Sequence, residues 1–203
     1  MHPSTYVQLH KKENASMPDD YRSAANRYRP KPVRVLFIAE SPPAYSIESR
    51  KSYFFFEENP GGNLLFSTIV HAVLEIRYRK SGGVPKKSIL QCFQGNGNWL
   101  MDAVEHPINK LNGKRTSDNV RKEYIDREKS NLLARISALR AENSDTDITI
   151  VLVKNLVYEC LAQPLRQSGY YVPQVGPIGF PRYYGDPATI GGIRSAIANQ
   201  HFA

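Results

Sequence analysis

The chain has 203 residues, of which 41% are hydrophobic and 23% charged, a balance typical of one globular domain and not of a disordered or fibrous protein. Lysine and arginine outnumber the acidic residues 27 to 19, giving a net charge of +8. This excess favours a polyanionic partner such as nucleic acid, the alternative being a generally basic protein without one. No apolar run reaches the roughly 18 residues of a membrane span, and the first residues carry no signal-peptide core. We therefore expect a cytoplasmic protein without a membrane partner.

The first 32 residues predict a basic, largely irregular N-terminal arm. Prolines at positions 3, 18, 30 and 32 interrupt this segment, and lysines and arginines recur along it without an apolar period. A short helix is predicted near Tyr21–Tyr28. The two tyrosines either stack on nucleic-acid bases or attach the arm to the domain that follows, which we place at residues 33–203.

Strands and helices are predicted to alternate through that domain. The apolar, β-branched run Val33–Ala39 predicts a buried parallel strand. Further strands are predicted over 99–104, 148–153 and 170–172, and helices over 63–80, 86–93, 118–143, 156–168 and 189–199. This order predicts a three-layer α/β/α domain with a four-stranded parallel sheet. Its site is expected beyond the carboxyl ends of the strands, at 40–43, 102–107, 154–155 and 180–182.

The loop Glu40-Ser41-Pro42-Pro43 places a carboxylate directly after the first strand. Each proline fixes its own φ angle and restrains the residue before it, so the backbone of this loop is expected to be stiff. A carboxylate held in this way can orient and partly deprotonate a water molecule. The alternative is that Glu40 only caps the next helix.

The strand followed by Glu40-Ser41-Pro42 resembles the first motif of the uracil-DNA glycosylase superfamily. The likeness continues in chain order through Tyr53–Phe56, Asn63–Leu65, Trp99–Asp102, Ile150–Val153 and Phe180–Arg182. The resemblance implies hydrolysis of the N-glycosidic bond of a damaged or modified base in nucleic acid, DNA more than RNA. Such an enzyme flips the base out of the duplex into a pocket.

The resemblance also assigns roles to residues. Glu40 would handle the water and Asp102 would contact the base, as the catalytic pair. The base-binding residues would be Ser41, Pro42 and the aromatics Phe54, Phe55 and Phe56, although the aromatic run alternatively packs in the core. Nucleic acid would be held by Lys154, Asn155, Phe180, Pro181 and Arg182.

Two departures from the family pattern change what is expected. Phe180-Pro181-Arg182 stands where the family usually has His-Pro-Ser, and an arginine cannot shuttle a proton. Asp102 stands where an asparagine is frequent, and an ionised carboxylate only accepts hydrogen bonds, which favours a donor-bearing edge such as that of cytosine or adenine. Two alternatives follow: a catalytically inactive nucleic-acid-binding module of the same fold, or a hydrolase of free nucleosides or nucleotides.

No cofactor or metal is expected. Cys92 and Cys160 are too few to ligate an iron–sulfur cluster and are expected to be buried thiols. His106, four residues after Asp102, has no metal-binding spacing around it, and His71 falls within an apolar helical pattern. The protein is expected to be a monomer.

Overall fold

The fold is given by a computed structural model that describes residues 19–44, 52–57, 63–78, 83–111, 114–144 and 147–198. These residues form an α/β arrangement, a three-stranded parallel sheet flanked by six helices. The helices are α1 (Asp19–Arg27), α2 (Leu64–Leu74), α3 (Lys86–Gly95), α4 (Asp118–Glu142), α5 (Asn155–Gln167) and α6 (Pro187–Ala198). The strands are β1 (Val35–Ala39), β2 (Asn98–Asp102), β3 (Lys110–Leu111), β4 (Lys114–Arg115) and β5 (Thr149–Leu152), of which β3 and β4 form a separate antiparallel pair.

The sheet has the strand order β2-β1-β5, with β1 in the centre. Phe37 on β1 is level with Leu100 on β2 and with Val151 on β5, and every residue of the three strands is buried. Burial of whole strands explains why their sequences read as continuous apolar runs. Because the strands are parallel, their carboxyl ends lie at one edge of the sheet, where Glu40 and Asp102 are found.

The predicted fourth strand is wrong, and the sheet has three strands instead of four. Near residues 170–172 only an isolated bridge joins Tyr171 to Thr149, with Ile150 N–H donating to Tyr171 C=O at 2.9 Å. The ladder ends there because Pro173 has no N–H to donate. The side-chain amide of Gln174 then bonds both backbone groups of Leu152, at 2.6 and 2.9 Å, in place of a strand.

Two of the helices show how local sequence sets their ends. The Asn63 side chain accepts a hydrogen bond from Phe66 N–H and so caps the start of α2, as its position predicts. Glu75 adopts the left-handed conformation, with φ at 60°, and ends α2 several residues before the predicted limit of 80. Ser117 caps the start of α4 in the same way as Asn63.

Helix α1 packs against the domain and does not extend away from it. Tyr21 and Tyr28 are buried, and the Tyr21 ring stacks on Tyr53 with 4.2 Å between centroids. The indole N–H of Trp99 donates to the backbone oxygen of Ala25 at 3.2 Å. The short helix predicted near residues 21–28 is confirmed, and the two tyrosines attach it to the core. The first 18 residues of the predicted arm lie outside the described residues.

The cysteines differ from expectation in one respect. Cys160 is half-buried, but Cys92 is exposed, so the prediction that both thiols are buried is wrong. None of the helices in the described ranges is both long enough and apolar enough to cross a bilayer.

Candidate functional site

Glu40 lies immediately beyond β1 and is only 5% exposed. Both of its carboxylate oxygens accept hydrogen bonds from Arg121 Nη1, at 2.9 and 3.3 Å, and Oε2 also accepts from Lys154 Nζ at 2.5 Å. Arg121 lies in the first turns of α4, and Lys154 immediately precedes α5. We call these three residues the charge cluster. The alternative that Glu40 only caps the next predicted helix is wrong, because Asn63 caps that helix and two cationic side chains bind the carboxylate of Glu40.

The cationic members of the charge cluster are themselves constrained. Arg121 is 94% buried at its side chain and pairs with the exposed Asp118 as well as with Glu40. Lys154 has φ at 97°, a conformation that is strained for a residue with a side chain. Its backbone N–H donates to Ile178 C=O at 2.8 Å, which helps to hold that conformation. Burial lowers the pKa of Lys154, and the adjacent Glu40 carboxylate partly offsets this effect.

A cleft of about 900 Å³ opens over the carboxyl edge of β5. The first turns of α4, α5 and α6 all reach its wall, and so do Lys154, Asn155, Phe180 and Arg182, four of the residues predicted to hold nucleic acid. Glu40 and Ser41 do not line it, whereas Arg121 and Lys154 do. The structure thus brings the predicted nucleic-acid residues together and places Glu40 behind its two cationic partners.

Three large aromatic side chains are exposed in the loop beside this cleft. Phe180 is 47% exposed, Tyr183 51% and Tyr184 56%. Between them lies Arg182, whose guanidinium is 5.9 Å from the centre of the Tyr183 ring. We call residues 180–184 the aromatic loop. Exposure of three neighbouring aromatic rings is costly in water, so this loop is the part of the described surface that most needs an explanation.

The aromatic loop has a defined conformation. The buried carboxylate of Asp186 accepts hydrogen bonds from the backbone N–H of Arg182 at 3.1 Å and from that of Ala188 at 3.2 Å. These bonds hold the pKa of Asp186 below its usual range. Thr189 Oγ1 donates to Gly179 C=O at 3.2 Å and ties the start of the loop to α6, while Pro181 is buried.

Asp102, the second predicted catalytic residue, lines a different space. It borders a cavity of about 260 Å³ between α1, the outer edge of β2 and α4, and shares no lining residue with the cleft. Burial raises the pKa of Asp102 to about 7, an effect that Arg135 opposes and that Glu40 and Glu105 reinforce. Glu40 is therefore close enough to act on Asp102 electrostatically, but the two carboxyl groups do not face one common pocket.

The predicted base-binding residues are mostly inside the protein. Phe54 and Phe55 are 3% and 1% exposed, and the Phe54 ring packs against Phe66 and Phe93 at centroid distances of 5.2 and 5.5 Å. Burial leaves no free face of these two rings for a base, and the alternative that the aromatic run packs in the core is confirmed for them. Phe56 is partly buried beside Tyr21 and Tyr53. Pro42 is buried, and the Ser41 hydroxyl accepts a hydrogen bond from Asn109 at 3.1 Å.

Two arginines that the sequence analysis did not single out complete these sites. Arg121 lies four residues before Ile125 and therefore on the buried face of α4. A charged residue at a position where the helical pattern predicts an apolar one was the sequence feature that could have identified it. Arg135 Nη2 donates to the backbone oxygens of Asp102 and Ala103, at 3.1 Å each. It occurs in a helix with many charged residues, and nothing in the sequence distinguishes it from them.

No protein-family model matches this chain, and neither curated proteins nor solved structures include one detectably similar to it. The geometry of the cleft, the aromatic loop and the Asp102 cavity therefore carries the functional argument.

Proposed function

We propose that this protein binds nucleic acid in the cleft, with phosphates held by its cationic wall and unpaired bases stacked on the aromatic loop. The observation that carries the proposal is the exposure of three aromatic rings in one loop: Phe180 lines a cleft with basic side chains on its wall, and Tyr183 and Tyr184 follow it in the same loop. Proteins that bind single strands combine these same two features, a basic groove that follows the backbone and aromatic rings on which successive bases stack. DNA is the partner that we expect, more than RNA.

The charge of the cleft supports this proposal. Five basic side chains line it against three acidic ones, Asp118, Glu159 and Asp186. The acidic groups pair with Arg121, Lys122 and Arg182, and the buried Glu40 lies against Lys154 and Arg121. Even with Glu40 counted, the surroundings of the cleft remain net positive. Arg115 is exposed on the same wall and forms no ion pair with a described residue, so its guanidinium is available to a phosphate.

The helix starts support it as well. Helix α5 begins at the wall of the cleft, and no side chain caps its first turn among the described residues. Its first backbone N–H groups are therefore donors available to an anion, and the helix dipole places partial positive charge at the same point. The side chain of Asn155, which is exposed at this position, adds a further polar group.

Hydrolysis of an N-glycosidic bond stays a prediction, and the geometry favours binding over it. A general base must reach the water that it activates. Both oxygens of Glu40 accept hydrogen bonds from cations, and Asp102 borders another cavity. A three-layer α/β/α arrangement, with helices on both faces of the sheet, remains the architecture that we infer for the domain.

The test is binding of a fluorescent single-stranded DNA oligonucleotide, followed by anisotropy at several salt concentrations. We expect the logarithm of the binding constant to fall linearly with the logarithm of the salt concentration. Phe180→Ala and Tyr183→Ala should each weaken binding about fivefold or more, because stacking contributes roughly 1–3 kcal/mol per base, and should leave the salt slope unchanged. Arg115→Gln should instead lower the slope by about 0.7, the value of one phosphate contact on a single strand.

Tyr171→Ala is the matched control. Tyr171 is 43% exposed, like the loop aromatics, but its backbone pairs with Thr149 at the amino end of β5, away from the cleft. It should bind DNA as the unchanged protein does. Equal affinity in all four variants, or binding that does not respond to salt, would overturn the proposal. Release of a base from any oligonucleotide of a broad lesion panel, lost in Asp102→Ala, would show that hydrolysis accompanies binding.

A further inference from the structure

The cavity at Asp102 is separate from the cleft, and its residues have no part in the proposed binding of nucleic acid. Its floor is the outer edge of β2, and its walls come from α1 on one side and α4 on the other. A volume of about 260 Å³ lies just below the range of drug-sized sites and suits a compound of one aromatic ring with substituents.

Asp102 is a buried acidic residue on the wall of this cavity. It is 5% exposed, and no described side chain donates a hydrogen bond to its carboxyl group. Arg135 is the cation that acts on Asp102 electrostatically, but its Nη2 is used by the backbone oxygens of Asp102 and Ala103 and its Nη1 lies 3.6 Å from Glu105. Its Nε is buried and has no hydrogen-bond partner among the described residues. A buried carboxyl group without a direct hydrogen-bond partner is costly, and a ligand in the cavity would supply the missing one.

Aromatic and apolar side chains line part of the same cavity. Tyr53 and Trp99 both line the cavity, together with Met101, Ala138 and Leu139. The Trp99 indole is held in place by its hydrogen bond to Ala25. Two further arginines line the cavity. The guanidinium of Arg29 lies 5.3 Å from the centre of the Trp99 ring and pairs with Glu142, and Arg22 has a partner as well. The cavity thus offers aromatic contact area next to a carboxyl group that accepts no hydrogen bond from a described residue.

We infer that this cavity binds a free, uncharged heteroaromatic compound with an amidine-type edge, a ring nitrogen next to an exocyclic amino group, and that this edge pairs with Asp102. A protonated carboxyl group is complementary to that edge, since its O–H donates to the ring nitrogen and its C=O accepts from the amino group. The inference does not depend on nucleic-acid binding, because the cleft and the cavity share no residue.

The protonation of Asp102 gives the site a pH dependence. Among the described residues, four groups interact electrostatically with its carboxyl group: Arg135 from α4, Glu40 after β1, Glu105 after β2 and the Tyr53 hydroxyl before α2. Arg22 from α1, Arg29 after it and Glu142 from α4 also line the cavity. Burial outweighs the opposing effect of Arg135, and the resulting pKa of about 7 leaves the carboxyl group mostly protonated at pH 6 and mostly ionised at pH 8. Once ionised, it repels the lone pair of a ring nitrogen.

The test uses Trp99, which is the only tryptophan of the chain. Titration with 2-aminopyrimidine, which stays uncharged between pH 6 and 8, should change the Trp99 fluorescence saturably. Affinity should fall about tenfold from pH 6 to pH 8, the ratio of the protonated fractions for a pKa near 7. Pyrimidine, which lacks the amino group, should bind at least tenfold more weakly at pH 6.

Variants separate this site from a general apolar pocket. Asp102→Asn should retain binding at pH 6 and lose the pH dependence, because the amide presents one donor and one acceptor at every pH. Ala138→Phe, which fills the cavity from the exposed face of α4 without changing Asp102, should abolish binding. Arg182→Gln, in the cleft, should leave it unchanged. Absence of saturable binding, equal affinity for pyrimidine, or retention of the pH dependence in Asp102→Asn would overturn the inference.

Discussion

Replacement of Glu40 by glutamine keeps the shape of the side chain and removes its charge. In the charge cluster this change leaves Arg121 and Lys154 facing a neutral amide, with side-chain exposures of only 6% and 25%. Removing one partner of a buried ion pair typically costs 3–5 kcal/mol, because the other charge stays buried without compensation. Arg121 keeps its pair with the exposed Asp118, and Lys154 borders the cleft, so we expect the lower end, about 3 kcal/mol.

The measurement is the free energy of unfolding from urea denaturation at pH 7 for the unchanged protein and Glu40→Gln. Glu159→Gln is the control, since it breaks the pair of Glu159 with Lys122 in which both side chains are about half exposed. That pair should contribute less than about 1 kcal/mol. A double replacement with Arg121→Gln should cost less than the sum of the two single ones, because the two charges stabilise each other.

The reasoning would be refuted by a loss below about 1 kcal/mol, or by a loss no larger than that of the Glu159 control. It would also be refuted if the Glu40 and Arg121 replacements were strictly additive. A Glu40→Gln protein as stable as the unchanged one would show that the charge cluster contributes little to folding.

Three further predictions concern stability. Burial raises the folded-state pKa of Asp102 to about 7, so the free energy of unfolding should fall as pH rises from about 4 to 7. Asp102→Asn should remove this fall, and urea denaturation at pH 8 should give it a free energy of unfolding higher than that of the unchanged protein by at most about 4 kcal/mol. Asn143→Ala should lower the free energy of unfolding by about 2 kcal/mol, because its amide bonds both the N–H and the C=O of Val33 at 3.2 and 2.7 Å; an unchanged urea midpoint would contradict this. Phe55→Ala should lower the free energy of unfolding by about 3–5 kcal/mol because Phe55 is buried, and Phe180→Ala by less than about 0.5 kcal/mol because Phe180 is exposed. Equal melting temperatures of the two variants would contradict this difference.

Several elements of the fold could be predicted from the sequence because they depend on local patterns. Apolar runs indicated β1, β2 and β5, and the Asn63 cap and the apolar face of α4 indicated where two helices lie. The fourth strand was mispredicted because a short stretch of aromatic and β-branched residues carries no information on whether its backbone finds a partner. Here the side chain of Gln174 forms the hydrogen bonds to Leu152 that a strand would have formed.

The sequence by itself also placed Glu40 and Asp102 at strand ends and Phe180–Arg182 in a loop. Only the tertiary structure decided what each of them contacts. Glu40 meets its partners across 81 and 114 residues of chain, and no local pattern encodes such a pairing. Burial likewise depends on how whole elements pack, which is why Phe54 and Phe55 entered the core while the aromatic loop stayed in solvent. For the same reason the strand-end residues, predicted to form one pocket, divide between the cleft and the Asp102 cavity.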